Sequence, residues 1–168
     1  MPERDIADHR LRAYGLSAAV FAVDRLSKWI IEQRVSAFDV HNVIPGFFDI
    51  VHSQNRGVAF GLMNDSTSAW RTVVLIVFAS AAMLVVAGML WKAQRTDRLT
   101  SIGLALILGG AAGNLFDRIV WGRVTDFLEF YVRDMHWPTF NVADSCVVIG
   151  SGLLLVDILR PKRQAARI

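Results

Sequence analysis

Residues 72–91 read TVVLIVFASAAMLVVAGMLW, an unbroken run without a charged side chain. A helix rises about 1.5 Å per residue, so a run of this length covers the roughly 30 Å hydrocarbon core of a bilayer. This stretch decides the fold class. The chain has 168 residues, 54% of them hydrophobic, and a soluble domain of that size has too little interior to hide so many apolar side chains. The length suits one domain, 1–168, and not comfortably two.

Working outward, three further apolar stretches occupy about 14–31, 99–120 and 141–159, and the central run extends to about 70–91. Each is near the length a helix needs to cross a membrane, although the other three carry polar residues. The expectation is therefore a membrane all-α bundle of four transmembrane helices. Arg4, Arg10 and Arg12 precede the first span, Lys92, Arg95 and Arg98 follow the second, and Arg160, Lys162, Arg163 and Arg167 follow the fourth. The longer loops, about 32–69 and 121–140, hold only Arg34, Arg56, Arg123 and Arg133. The positive-inside rule then puts both termini in the cytoplasm, and an even number of spans agrees. Trp70, Trp91, Trp121 and Trp137 fall at span ends, where interfacial anchors belong. The net charge of +3 belongs to these basic flanks rather than to a nucleic-acid surface. The first span reads as retained. Acids and bases mix before it, Asp24, Arg25 and Lys28 interrupt it, and no small-residue cleavage site follows a clean apolar core. Cys146 is the single cysteine, so no intrachain disulfide exists.

The loop at 32–69 is too long for a simple connector. Its segment FFDIVHSQNRGVAF, 47–60, is rich in β-branched and aromatic residues, with Gly57 placed for a turn or bulge. Residues 40–44 before Pro45 add a strand, and the second loop offers 124–127 and a Trp137–Pro138 break. A small extracytoplasmic β-rich cap over the bundle is expected.

Ionisable groups inside a span are costly and usually mark function. Span three runs outward and span four inward, which brings Asp117 and Asp144 to similar depth near the outer face. Asn114, Asp117 and Arg118 share a helix face, as do Asn141, Asp144 and Ser145, and Gly109, Gly110 and Gly113 permit close helix approach. Two close carboxylates share a proton, so that one can deprotonate a water while the other polarises a carbonyl and protonates a leaving amine. Polar helix pairing alone is the alternative.

Other hydrolytic arrangements fit poorly. There is no H-E-x-x-H, and His9, His41, His52 and His136 are scattered. Ser27 and Lys28 face different ways on a helix, and Cys146 lies on another face from Asp144. Asp24 and Lys28 form an i, i+4 pair whose role is either structural or substrate-related. The segment 55–60 is either a loop turn or a substrate contact. A proton-coupled transporter and a non-catalytic assembly factor are the competing classes.

Five blocks together resemble lipoprotein signal peptidase, also called signal peptidase II: DRLSK at 24–28, NRGVAFG at 55–61, GGAAGNLFDR at 109–118, VTDF at 124–127 and FNVAD at 140–144. Position 25 is Arg where that family often has Gln. The resemblance covers nearly the whole chain. It implies a four-helix bacterial cytoplasmic (inner) membrane enzyme with an outer β-cradle and a metal-independent aspartyl mechanism that needs no cofactor. It maps the catalytic pair onto Asp117 and Asp144, with Asp24, Lys28, Asn55, Gly57, Asn114, Arg118, Asp126, Asn141 and Ala143 as supporting positions. It further implies diacylglyceryl-prolipoprotein substrates cut just before the lipidated lipobox cysteine, contact with membrane lipids, inhibition by globomycin, and a monomer.

Overall fold

The computed structural model describes residues 3–57, 69–92 and 98–160. Four helices and four strands follow in the order α1 (Glu3–Arg34), β1 (Val40–Ile44), β2 (Phe48–Asn55), α2 (Ala69–Lys92), α3 (Arg98–Trp121), β3 (Val124–Val132), β4 (Met135–His136) and α4 (Val142–Leu159). The expected span boundaries lie within a residue or two of α2, α3 and α4. Thr72–Lys92, Arg98–Trp121 and Val142–Leu159 are long and apolar enough to cross a membrane. Val73, Val77, Phe78, Leu84 and Val85 of α2 are exposed, which suits a helix whose solvent is lipid. The first expected span lies inside α1, but its charged residues keep α1 out of that class. Among the described residues, composition alone therefore supports three crossings and not four. Two of those charges, Asp24 and Lys28, are fully buried against each other.

α3 is the centre of the bundle. A Cβ at Gly103 would lie 2.8 Å from Gly150 O, and one at Gly110 would meet Ala143 O more closely still. These contacts run in opposite directions along the two chains, so α3 and α4 are antiparallel. On its other side α3 runs parallel to α1. Ser17 Oγ donates to Ala105 O at 3.0 Å, and a Cβ at Gly109 would lie 2.5 Å from Ser17 O. Small residues bring the backbones close enough for dispersion to hold helices that lipid would not drive together. α2 packs mainly on α3, with Leu90 in one buried cluster with Ala13, Leu104 and Ala105, and the Tyr14 hydroxyl of α1 adds a bond to Ala87 O at 3.2 Å.

The strands form one antiparallel sheet in the order β1-β2-β3-β4. Of the expected strand at 47–60, Phe48–Asn55 is β2. The chain then turns at Gly57 (φ +82°), whose N–H donates to Asn55 Oδ1 at 2.8 Å. Residues 58–60 lie outside the described residues. β3 is longer than the expected 124–127 and is buried on both faces over its first four residues, so it lacks the alternation that marks a half-exposed strand. Ile31, Val35 and Phe127 form the apolar joint between sheet and bundle, backed by Ile50, Leu128 and Val142. Phe127 and Leu128 N–H both donate to Phe140 O, at 2.9 and 2.8 Å, and Phe140 N–H returns a bond to Leu128 O at 3.0 Å. That clamp fixes the start of α4 beside β3.

Candidate active site

The first N–H groups of a helix have no partner within it, and α4 satisfies two of them with site residues. Asn141 is its N-cap: the side-chain oxygen accepts from Asp144 N at 3.0 Å, and Asp144 Oδ2 accepts in return from Asn141 N at 3.3 Å. This reciprocal box holds the Asp144 carboxylate where the helix dipole favours negative charge. Ala143 N donates to Asp24 Oδ1 at 2.9 Å. Ala143 is fully buried, and its contribution is this N–H and its lack of bulk.

Lys28 organises the rest. Its ammonium donates to Asp24 Oδ2 and to Asn114 Oδ1, both at 2.8 Å, and lies 2.7 Å from Asp117 Oδ2. The last contact is a close ion pair without hydrogen-bond alignment, so Asp117 Oδ2 has no hydrogen-bond donor. Asn114 Nδ2 donates to Asp144 Oδ1 at 2.7 Å. Asp117 and Asp144 are thus joined through one Lys28–Asn114 relay. Their surroundings differ: Asp117 faces two cations, while Asp144 accepts from amides only.

The second cation is Arg25, whose guanidinium pairs with Asp117 Oδ1. It lies 5.1 Å from the Phe116 ring centroid and 4.5 Å from that of Trp121, within cation–π range of both. In the sequence Arg25 stands out as a charge that interrupts the first span and as a departure from the residue usual in the family the chain resembles, with no site role assigned to it. Its i, i+3 spacing to Lys28 was the signal that it shares the Lys28 face. Glu32 was also missed; it accepts from Thr125 Oγ1 at 2.7 Å and ties α1 to β3.

Asp126 joins from the sheet. Asn141 Nδ2 donates to its Oδ1 at 2.7 Å and Asn55 Nδ2 to its Oδ2 at 3.1 Å. Burial pushes its carboxyl up from 3.8 to about 6, against the two amides that donate to it; the nearby Asp144 adds to the rise and Lys28 opposes it. Asn55 thereby ties the Gly57 turn to the cluster. Arg118 stands apart, its Nη1 donating to Asn114 O of its own helix at 3.1 Å. Cys146 is free and half-buried.

The Asp126 environment has a pH consequence. A carboxyl raised in the folded state makes native protein bind the extra proton between about pH 4 and 6, so stability falls as pH rises through that window and levels off above it. A rise from 3.8 to about 6 corresponds to about 3 kcal/mol between the protonation states. Asp126→Asn is expected to remove this part of the pH dependence, seen as a flatter melting temperature between pH 4 and 7. A wild-type-like slope in that variant would contradict the assignment.

Apolar helices that hold a buried carboxylate cluster beneath a small sheet have the architecture of a membrane enzyme. The family profile described as Signal peptidase (SPase) II matches residues 16–160, and the chain belongs to that family of proteases. A protein named lipoprotein signal peptidase from Solibacter usitatus is 64% identical over 161 residues, 96% of this chain and 98% of that one. Another so named, from Burkholderia multivorans, is 42% identical over 151 residues, covering 90% and 89%. Two solved structures titled as a bacterial membrane enzyme share the fold. One has a TM-score of 0.79 at 23% identity over 94% of each chain. The other has 0.78 at 24%, covering 90% of this chain and 94% of that one. Membership in a protease family decides against the transporter and assembly-factor alternatives.

Proposed function

We propose that this chain is an aspartyl endopeptidase that cuts diacylglyceryl-modified bacterial prolipoproteins just before the lipidated lipobox cysteine, with Asp117 and Asp144 as its catalytic pair. The observation that carries this reading is their convergence, from opposite helix ends, on the Lys28–Asn114 relay. In the reaction one carboxylate takes a proton from water as its oxygen adds to the scissile carbonyl carbon. The other, protonated, gives its proton to the carbonyl oxygen. Collapse of the tetrahedral adduct breaks the C–N bond: the proton taken from water passes to the leaving amine, and the adduct hydroxyl that becomes the new carbonyl returns its proton to the second carboxylate. No metal or cofactor enters these steps.

The supporting residues hold the pair in place. Lys28 and Arg25 orient Asp117, Asn114 and Asn141 orient Asp144, and Asp24 fixes both Lys28 and the start of α4. Asn55, Gly57 and Asp126 set the sheet edge above the pair. We read α1 as the fourth crossing, its Asp24–Lys28 charges neutralised in place, with both termini cytoplasmic and the sheet outside. The diacylglyceryl group would then hold the scissile bond at the outer interface, while the lipid tails and the signal peptide lie along exposed apolar helix faces. A globomycin-type inhibitor is expected to block the same site.

A cleavage assay on one precursor peptide, with and without its diacylglyceryl group, tests this. Lipidation is expected to raise kcat/KM about 100-fold or more, since remote binding energy positions the scissile bond, and chelators should leave the rate unchanged. Equal cleavage of both peptides would remove the lipid requirement. Loss of activity to a chelator, restored by zinc, would remove the metal-free mechanism.

A further inference from the structure

The end of the bundle away from the sheet carries a second feature that the peptidase reading leaves unused. Here α1 and α3 enclose a cavity of about 370 Å³, lined by Arg12, Ala13 and Leu16 on one side and by Arg98, Ser101 and Ile102 on the other. Two guanidinium groups and a hydroxyl therefore share one concavity with three apolar side chains. Among the described residues neither arginine forms an ion pair with a carboxylate. Arg10 adds a third cation at this end, stacked 5.2 Å from the Trp91 ring centroid, with its Nε buried and unpartnered.

Arg12 and Arg98 are both exposed at the rim of this concavity, where two cations from different helices make a local positive patch that attracts an anion. The apolar half of the lining excludes a fully hydrated ion as a good fit, and the flanking surface continues apolar through exposed Leu11 and half-exposed Ile102. An amphiphilic anion satisfies both halves. Basic pockets between helices at a membrane face suit anionic lipid head groups, and the volume is in the small-ligand range.

We propose that this cavity binds the phosphodiester head group of an anionic phospholipid from the leaflet at that end. Arg12 and Arg98 pair with the phosphate, Ser101 donates a hydrogen bond to it, and the acyl chains run along the outer faces of α1 and α3. The bound lipid clamps α1 to α3 at the end opposite the carboxylate cluster, and so steadies the helix that carries Asp24, Arg25 and Lys28. This inference rests on the membrane reading of the bundle and is independent of which residues cut the peptide.

The test uses the full chain purified in neutral detergent, with melting temperature measured against added dioleoylphosphatidylglycerol, dioleoylphosphatidylcholine or inorganic phosphate. Phosphatidylglycerol is expected to raise the melting temperature by about 4 °C through preferential binding to the folded state, and the other two to leave it unchanged. Arg12→Gln/Arg98→Gln should keep the lipid-free melting temperature and cleavage rate but lose the rise. An equal rise with phosphatidylcholine or with phosphate alone overturns the proposal, as does a full rise in the double variant. If the double variant does not fold, native mass spectrometry of Arg12→Gln decides: wild-type retention of phosphatidylglycerol overturns the site, and reduced retention supports it. Cleavage is scored separately, so a failed peptidase assignment leaves a distinct signature: intact lipid binding without turnover.

Discussion

Asparagine at position 117 or 144 is expected to lower cleavage of a lipidated precursor by about three orders of magnitude or more, with the protein still folded. An amide can neither take a proton from water nor deliver one to a carbonyl, so each variant loses one half of the pair. The two variants should differ in stability. At 144 the new side chain keeps one oxygen, enough to accept from Asn141 N and preserve the helix cap but not also from Asn114 Nδ2, so the cost is about 1–2 kcal/mol, that of one lost hydrogen bond. At 117 the negative charge facing Arg25 and Lys28 disappears, leaving the buried Lys28 and the partly buried Arg25 with Asp24 alone. Asp117→Asn should therefore melt earlier than Asp144→Asn, although both are inactive. Turnover within tenfold of wild type in either folded variant would end the assignment of that residue.

Lys28→Met carries the largest expected loss of stability, about 3–5 kcal/mol, the usual cost of removing one partner from a buried ion pair. Methionine fills much of the volume but leaves Asp24 and Asp117 without their shared ammonium and Asn114 Oδ1 without its strongest donor. For a chain of this length the melting temperature should fall by about 10 °C. The control is Asp24→Asn/Lys28→Met, which removes one uncompensated charge while keeping an oxygen to accept from Ala143 N. It should recover part of the loss, because the two residues are coupled. A single variant that melts within 2 °C of wild type would mean that the ammonium is not what holds the cluster together.

Much of the scaffold was legible in the residues because a bilayer imposes simple rules on length and polarity. The run at 72–91 announced α2, and the glycines at 109, 110 and 113 announced close helix approach, which α3 makes to both α1 and α4. Residues 40–44 were read as a strand and form one. α1 was harder to read. Its charges lower its hydropathy, and nothing local shows that Asp24 and Lys28 cancel in a fully buried pair. β3 was read too short because burial on both faces erases the period of two.

The two aspartates show where local rules stop. Helix direction brings residues 117 and 144 to the same end, and i, i+3 spacing gives each an Asn neighbour; the sequence by itself determined that much. It did not determine that Asn114 would reach across to Asp144, that Lys28 would serve Asp24, Asn114 and Asp117 together, or that Asp126 would be drawn in through Asn55 and Asn141. Nor did it show Arg25 held between Phe116 and Trp121 against a residue 92 positions away. Periodicity specifies which face a side chain leaves from. Which partner it meets depends on the distance and register between helices, and those are set by packing across the whole bundle.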